Sequence, residues 1–157
     1  MKNNTLCYIE KDNCYLMLHR VKKKQDANLG KWIGFGGKFE EGESPEDCVC
    51  REVLEETGLM LTDYRYRGIV TFASDIYETE WMHLFTANGY TGELRDSCDE
   101  GEMAWIPKSE LDTLPMWEGD RVFLDLLTQD IPFFSLKLIY RGDALVGAVL
   151  NGKSLTV

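Results

Sequence analysis

Glu52, Glu55 and Glu56 are the residues whose type and spacing could do chemistry. In a helix, at about 100° per residue, all three fall on one face. Each like-charged neighbour pair costs about 0.2–0.5 kcal/mol on an exposed helix. A solvated acidic face would explain three glutamates on an arbitrary helix. Here the helix directly follows a glycine-rich segment, Lys31–Glu43, that holds Gly34, Gly36, Gly37 and Gly42, with Gly30 just ahead of it. Such a stretch lets backbone approach a ligand or another segment closely. A hard divalent cation converts carboxylate repulsion into coordination, because such ions take several oxygen ligands. The pattern points to a cation-binding face beside a backbone cradle.

These residues need elements to hold them. Ser44 suits a helix N-cap, Pro45 the first helical position, and Glu46 and Asp47 the positive end of the helix dipole. Gly58 can take the left-handed conformation that ends a helix, leaving about three turns between. Val49 and Val53 give that helix its apolar stripe. Upstream, Leu6–Glu10 and Cys14–Arg20 read as a hairpin around Lys11-Asp12-Asn13. Val21–Gly30, with Lys22, Lys23 and Lys24, reads as an exposed loop. Downstream, Tyr66–Ser74, Trp81–Tyr90 and the short Glu102–Ile106 read as strands. Asp120–Gln129 reads as a helix, and Phe134–Tyr140 with Ala144–Leu150 as a terminal hairpin. His19 and His83 lie inside strand patterns and are expected to be structural. Strands outnumber helices and do not alternate with them, so the expected class is α/β (α+β): a mixed β-sheet with helices on its faces.

Composition narrows the partners. A chain of 157 residues suits a single domain over 1–157. The net charge of −10 argues against duplex nucleic acid and anionic membranes, which need a basic surface. It permits a small phosphorylated ligand bridged by divalent cations. No apolar run is long enough to span a bilayer and no leader pattern opens the chain, so the expected location is cytoplasmic. The five cysteines form no Cys-x-x-Cys pair, which leaves reduced, mostly core-filling thiols as the expectation.

Gly37, Glu43, Arg51, Glu52, Val53, Glu55, Glu56, Gly58 and Leu59 stand as G-x5-E-x7-R-E-V-x-E-E-x-G-L. This resembles the signature box of the Nudix hydrolases at every position. The resemblance implies a loop–helix–loop that positions Mg²⁺ over a diphosphate (Mn²⁺ can substitute), in a mixed sheet sandwiched between helices. The implied reaction is hydrolysis of a nucleoside diphosphate linked to another group. Carried over by position, Glu52, Glu55 and Glu56 are metal ligands, joined by the Gly36 carbonyl. Glu52 is the expected general base. Arg51 is expected to orient the ligands by holding Glu55 or Glu43, and Glu43 to be structural. A further metal ligand is expected from Asp99-Glu100-Gly101-Glu102, with Glu100 preferred and Glu102 in reserve. A charged loop is the competing reading of that stretch.

The resemblance extends to the MutT-type oxidised-purine nucleoside triphosphatases through Lys31-Trp32-Ile33-Gly34-Phe35-Gly36-Gly37-Lys38, Met116-Trp117-Glu118-Gly119-Asp120 and the terminal hairpin. It implies Trp117 stacked on a base and Asp120 reading the base edge. As a residue, Trp117 could equally staple the following helix. Gly37, Lys38 and Lys23 are the candidates for contact with phosphate or sugar. Gly119 stands where that group has an aspartate, and Ile33 where it has an asparagine, so weaker discrimination is expected. The expected activity is Mg²⁺-dependent cleavage of purine triphosphates, 8-oxo-dGTP included, by a monomer or homodimer. The enzyme alternatives are ADP-ribose, a dinucleoside polyphosphate or a capped RNA end; the non-enzyme alternative is a silent nucleotide-binding module.

Overall fold

The computed structural model describes residues 1–157. Strand β1 (Lys2–Lys11) turns back into β2 (Cys14–Arg20) through Asp12 and Asn13, both at positive φ (51° and 60°). Asp and Asn tolerate that conformation better than other side-chain-bearing residues, and the mirror-image turn matches the strand twist. The remaining elements are β3 (Trp32–Ile33), α1 (Pro45–Thr57), β4 (Met60–Ser74), β5 (Glu80–Thr91), β6 (Gly101–Pro107), a 3-10 turn (Lys108–Thr113), α2 (Glu118–Thr128), β7 (Phe134–Arg141), β8 (Ala144–Leu150) and β9 (Lys153–Leu155). All strands join one sheet in the order β3-β2-β1-β5-β4-β7-β8-β9, with β6 on the free edge of β2. β1 runs parallel to β5 and β4 parallel to β7, whereas the hairpin partners are antiparallel, so the sheet is mixed as expected. The expected strands lie inside longer ones, because ladder pairing carries polar ends such as Lys2–Thr5 and Met60–Arg65 into the sheet. β9 was not expected.

Each face of the sheet has its own core. Even-numbered residues of β1 (Leu6, Tyr8) and of β7 (Phe134, Leu136, Leu138) pack with Phe123, Leu124 and Leu127 of α2. The opposite face places Cys7, Ile9, Leu16 and Leu18 against Val49 and Val53 of α1. This is the period-two alternation of strands serving two helical layers. Cys7, Cys48 and Cys98 are buried and all five thiols are free. No helix is long and apolar enough to cross a membrane.

The sheet opens where the site lies. β1 and β2 pair directly only through Ile9–Lys11 and Cys14–Leu16. Beyond that, segment 32–38 enters the gap, pairing first with β2 through Trp32 and Ile33 and then with β1 through Phe35 and Lys38. The Cys7 N–H donates to the Phe35 carbonyl (2.6 Å), and the Thr5 N–H to the Gly37 carbonyl (2.9 Å). A Cβ on Gly36 would lie 1.9 Å from the Thr5 carbonyl oxygen, which is why a glycine is needed there. The wedge thus delivers Gly36, Gly37 and Lys38 to the start of α1.

Candidate active site

Helix α1 starts and stops as its sequence dictates. The Ser44 hydroxyl accepts from the Asp47 N–H, and the Asp47 carboxylate accepts from the Ser44 N–H, both at 3.1 Å. At the other end Gly58 sits at φ 82°, in the left-handed conformation. Val49 and Val53 bury one side of the helix, so Glu52, Glu55 and Glu56 are left facing the glycine loop and solvent. A Cβ at Gly37 would fall 2.5 Å from the Glu52 carboxyl carbon. The absence of a side chain at 37 is therefore the space that Glu52 occupies.

Arg51 organises the carboxylates. Its guanidinium donates to both oxygens of Glu43 (2.7 and 2.9 Å), to Glu52 (2.9 Å), to Glu55 (3.3 Å) and to the Lys38 carbonyl (3.0 Å). The fork geometry matches a carboxylate bidentately. Arg51 holds the Glu43 carboxyl down at about 2. Both contacts expected of Arg51, to Glu55 and to Glu43, are therefore made at once.

Glu56 is the buried acid. The Gly36 N–H donates to it (3.1 Å), while burial, then the charges of Glu100 and Glu52, push its carboxyl up to about 8. Glu100 is turned towards this acid, and Lys23 pairs with it (3.6 Å). Glu102 instead lies exposed opposite His19 in the β2–β6 ladder. No three His, Cys, Asp or Glu side chains are gathered closely enough to enclose an ion. The donor set is all oxygen and mutually repulsive, which suits a hard divalent cation.

A cleft of about 650 Å³ runs from this point along the α2 face of the sheet. Gly36, Gly37, Lys38 and Glu56 line it, and so do Trp117 and Asp120. Lys23 is not brought into it; its ion pair with Glu100 holds it beside that carboxylate. Trp117 caps α2, with its ring edge-on to Tyr140 (centroids 5.4 Å apart) and the Lys31 ammonium 4.3 Å from its centroid. Asp120 is only 4% exposed, and burial, reinforced by Glu80 against the pull of Arg121 and Lys31, raises its carboxyl to about 8.

Loop 21–30 does more than its polar composition suggests. Arg20 donates to Asp26 (2.7 Å), Asp26 accepts the Asn28 N–H (2.9 Å), and the Trp117 indole N–H donates to the Asn28 side chain (2.7 Å). These residues were missed by the sequence reading. Only Asp26-x-Asn28, an Asx-type turn, left a trace of them. Gly119 also has a structural reason: its N–H donates to the Tyr140 hydroxyl (2.7 Å), and a Cβ there would collide with that oxygen at 2.5 Å. His19 stacks on Trp32 (4.5 Å, 2° between planes), and His83 bonds Asn3 (3.0 Å), in keeping with structural roles.

The raised carboxyls make stability depend on pH. Glu56 and Asp120 bind protons more tightly in the folded chain than unfolded, so the stability they contribute is present at low pH. It is lost as pH rises through about 8. Metal-free protein is expected to lose Tm between about pH 5 and 8, and Glu56→Gln to flatten that slope. Parallel melting curves of both proteins across this range provide the check; an identical slope would mean that Glu56 is not the group responsible.

The NUDIX domain pattern matches residues 3–127. The chain is 35% identical to the Nudix hydrolase YvcI of Bacillus subtilis over 127 residues, covering 78% of this chain and 77% of that one. It is 36% identical to the oxidized purine nucleoside triphosphate hydrolase of Danio rerio over 126 residues, covering 79% and 80%. The crystal structure of the MutT protein from Bacillus halodurans superposes with a TM-score of 0.86 at 26% identity, covering 98% of this chain and 99% of that one.

Proposed function

The chain belongs to the Nudix hydrolase family, and we propose that it is a Mg²⁺-dependent pyrophosphohydrolase of purine nucleoside triphosphates, oxidised ones such as 8-oxo-dGTP included. The observation that carries this reading is a single cleft lined both by the Gly36–Lys38 backbone with the Glu56 carboxyl and by the Trp117 indole with the buried Asp120 carboxyl. That lining suits a triphosphate against the glycine backbone and Lys38 and a base against the indole. The name of the zebrafish relative is in keeping with such a substrate.

The net reaction consumes one water and releases nucleoside monophosphate and pyrophosphate. When bound, a divalent ion supplies charge neutralisation at the phosphates and a more acidic attacking water. Glu52, Glu55, Glu56, Glu100 and the Gly36 carbonyl are the groups proposed to hold it. The charges of Glu100 and Glu52 acting on Glu56 support these three members of the set and favour Glu100 over Glu102. Glu52 accepts the proton of the attacking water, held in place by Arg51 and by the space at Gly37. Gly37 and Lys38 border the phosphates. Lys23 acts from the Glu100 side. Trp117 stacks on the base, fixed by Asn28, and Asp120 meets the base edge.

Metal should stabilise as well as activate. Mg²⁺ or Mn²⁺ is expected to raise Tm by binding the native state, and EDTA to abolish hydrolysis. Turnover persisting in excess chelator would exclude this mechanism.

A panel of nucleotides with Mg²⁺, followed by separation of phosphate-containing products, tests the substrate. Purine triphosphates are expected to exceed pyrimidine ones in kcat/KM. Trp117→Ala should raise KM for all purines, since stacking on an aromatic ring is worth roughly 1–3 kcal/mol whatever the edge. Preferred cleavage of ADP-ribose, a dinucleoside polyphosphate or capped RNA would replace this reading. Absence of any cleavage alongside nucleotide binding would favour a silent module.

A further inference from the structure

One row of the sheet turns polar where α2 stops covering it. On β1 the residues facing α2 run Tyr8, Leu6, Asn4 and Lys2; on β5 they run Leu84, Met82 and Glu80. Tyr8, Leu6 and Leu84 are core, while Asn4, Met82 and Glu80 line the cleft together with Asp120 and Trp117. The Asn4 amide N–H donates to Glu80. Its other atom, Oδ1, is buried and has no partner. A buried acceptor left unpaired carries a desolvation penalty, and folded proteins rarely keep one without a use. The Glu80 carboxylate retains further acceptor positions after taking that one N–H. Meanwhile Ile33 brings no polar group to the cleft and Gly119 is filled by Tyr140.

We propose that Asn4 and Glu80 are specificity-determining residues of this enzyme, supplying from the sheet the base-edge acceptors that positions 33 and 119 do not. This deepens, and rests on, the purine triphosphatase reading. Two adjacent acceptors match a base edge with adjacent N–H donors. A 2-amino-6-oxo purine presents its ring N–H and amino group there. A 6-amino purine sets a bare ring nitrogen, an acceptor, beside its one amino group. The ring nitrogen would face an oxygen and leave it unpaired, which is how polar sites reject an analogue. Asp120, whose proton is retained by burial, adds a donor for the neighbouring carbonyl of the 2-amino-6-oxo ring.

Glu80→Gln and Asn4→Leu test the assignment. In Glu80→Gln the amide oxygen can keep the Asn4 contact, so an NH2 donor then faces the base. The kcat/KM ratio of GTP-type over ATP-type triphosphates is expected to fall at least about tenfold in Glu80→Gln, and less in Asn4→Leu, with the change mainly in KM. Binding of GMP and AMP, followed by tryptophan fluorescence without metal, should show the same loss of preference independently of turnover. Melting curves identify any variant that fails to fold; Glu80→Gln, nearly the same shape, is the deciding one. If wild-type protein cleaves purine triphosphates but Glu80→Gln leaves both the ratio and the monophosphate preference unchanged, the assignment is wrong while the enzyme reading stands. If wild type prefers AMP, the edge pattern is wrong. If wild type cleaves no purine triphosphate, the function reading itself fails.

Discussion

Glu52→Gln and Glu56→Gln are each expected to lower kcat by at least about 10²-fold, the scale of a lost general base or a strong electrostatic contact. The two losses have different origins. In Glu52→Gln the amide would keep the shape that fills the space over Gly37 and could still accept from Arg51, but it could not take a proton. In Glu56→Gln the amide would keep the bond from the Gly36 N–H but bring no charge to a cation held beside it. Folding should survive both changes, because each removes one member of a repelling set that also includes Glu100. Single-turnover rates at saturating Mg²⁺ and circular dichroism melts separate these effects. Near-normal turnover in both variants would remove Glu52 and Glu56 from the mechanism.

Arg51→Met should be nearly as costly through a different route. It leaves Glu43, Glu52 and Glu55 without their shared cation and the Lys38 carbonyl without its donor. A group that orients ligands typically controls 10- to 100-fold in metal affinity or activity, so a fall in kcat/KM of about that size is expected, with a weaker response to Mg²⁺. Tm should drop too, and most clearly near neutral pH. The stability that Arg51 lends through Glu43, whose carboxyl it lowers to about 2, is present above the ordinary carboxylate range and fades as pH falls through about 2. Arg51→Lys should recover only part of the activity, because an ammonium cannot make the bidentate contact to Glu43 while also reaching Glu52. Equal activity of the Lys variant and wild type would show that charge alone matters. Full activity of the Met variant would reduce the network to a surface ion-pair cluster of little consequence.

The parts of this site that were legible beforehand are local ones. Ser44, Pro45 and Gly58 bound α1 because caps depend on a few neighbouring residues, and the structure places the ends of the helix where those residues lie. The common face of Glu52, Glu55 and Glu56 follows from helical geometry alone. The apolar stripe of Val49 and Val53, which packs against the sheet, was equally visible, because helical spacing is repeated in the order of the chain. The boundaries of β1 and β4 were not, because their polar ends are strands only by virtue of the partners they pair with. For the same reason the wedge of residues 32–38 between β1 and β2 was invisible: Gly36 and Gly37 read as close-approach positions, but Thr5 and Glu52, the groups that approach, lie about 30 positions before one and 15 after the other. Glu100 is set apart from Glu102 by its place in the turn just before β6, where its charge acts on Glu56, whereas Glu102 lies within β6, exposed opposite His19. The polar row on the sheet inside the cleft is a product of folding. Asp120 was marked by the motif around Trp117, but Asn4 and Glu80, from β1 and β5, carry no mark in their local sequence, because their meeting with it depends on strand order and on where α2 stops. Chemistry carried within one turn of helix is written in neighbouring residues; chemistry assembled across strands exists only once the sheet has closed the distance.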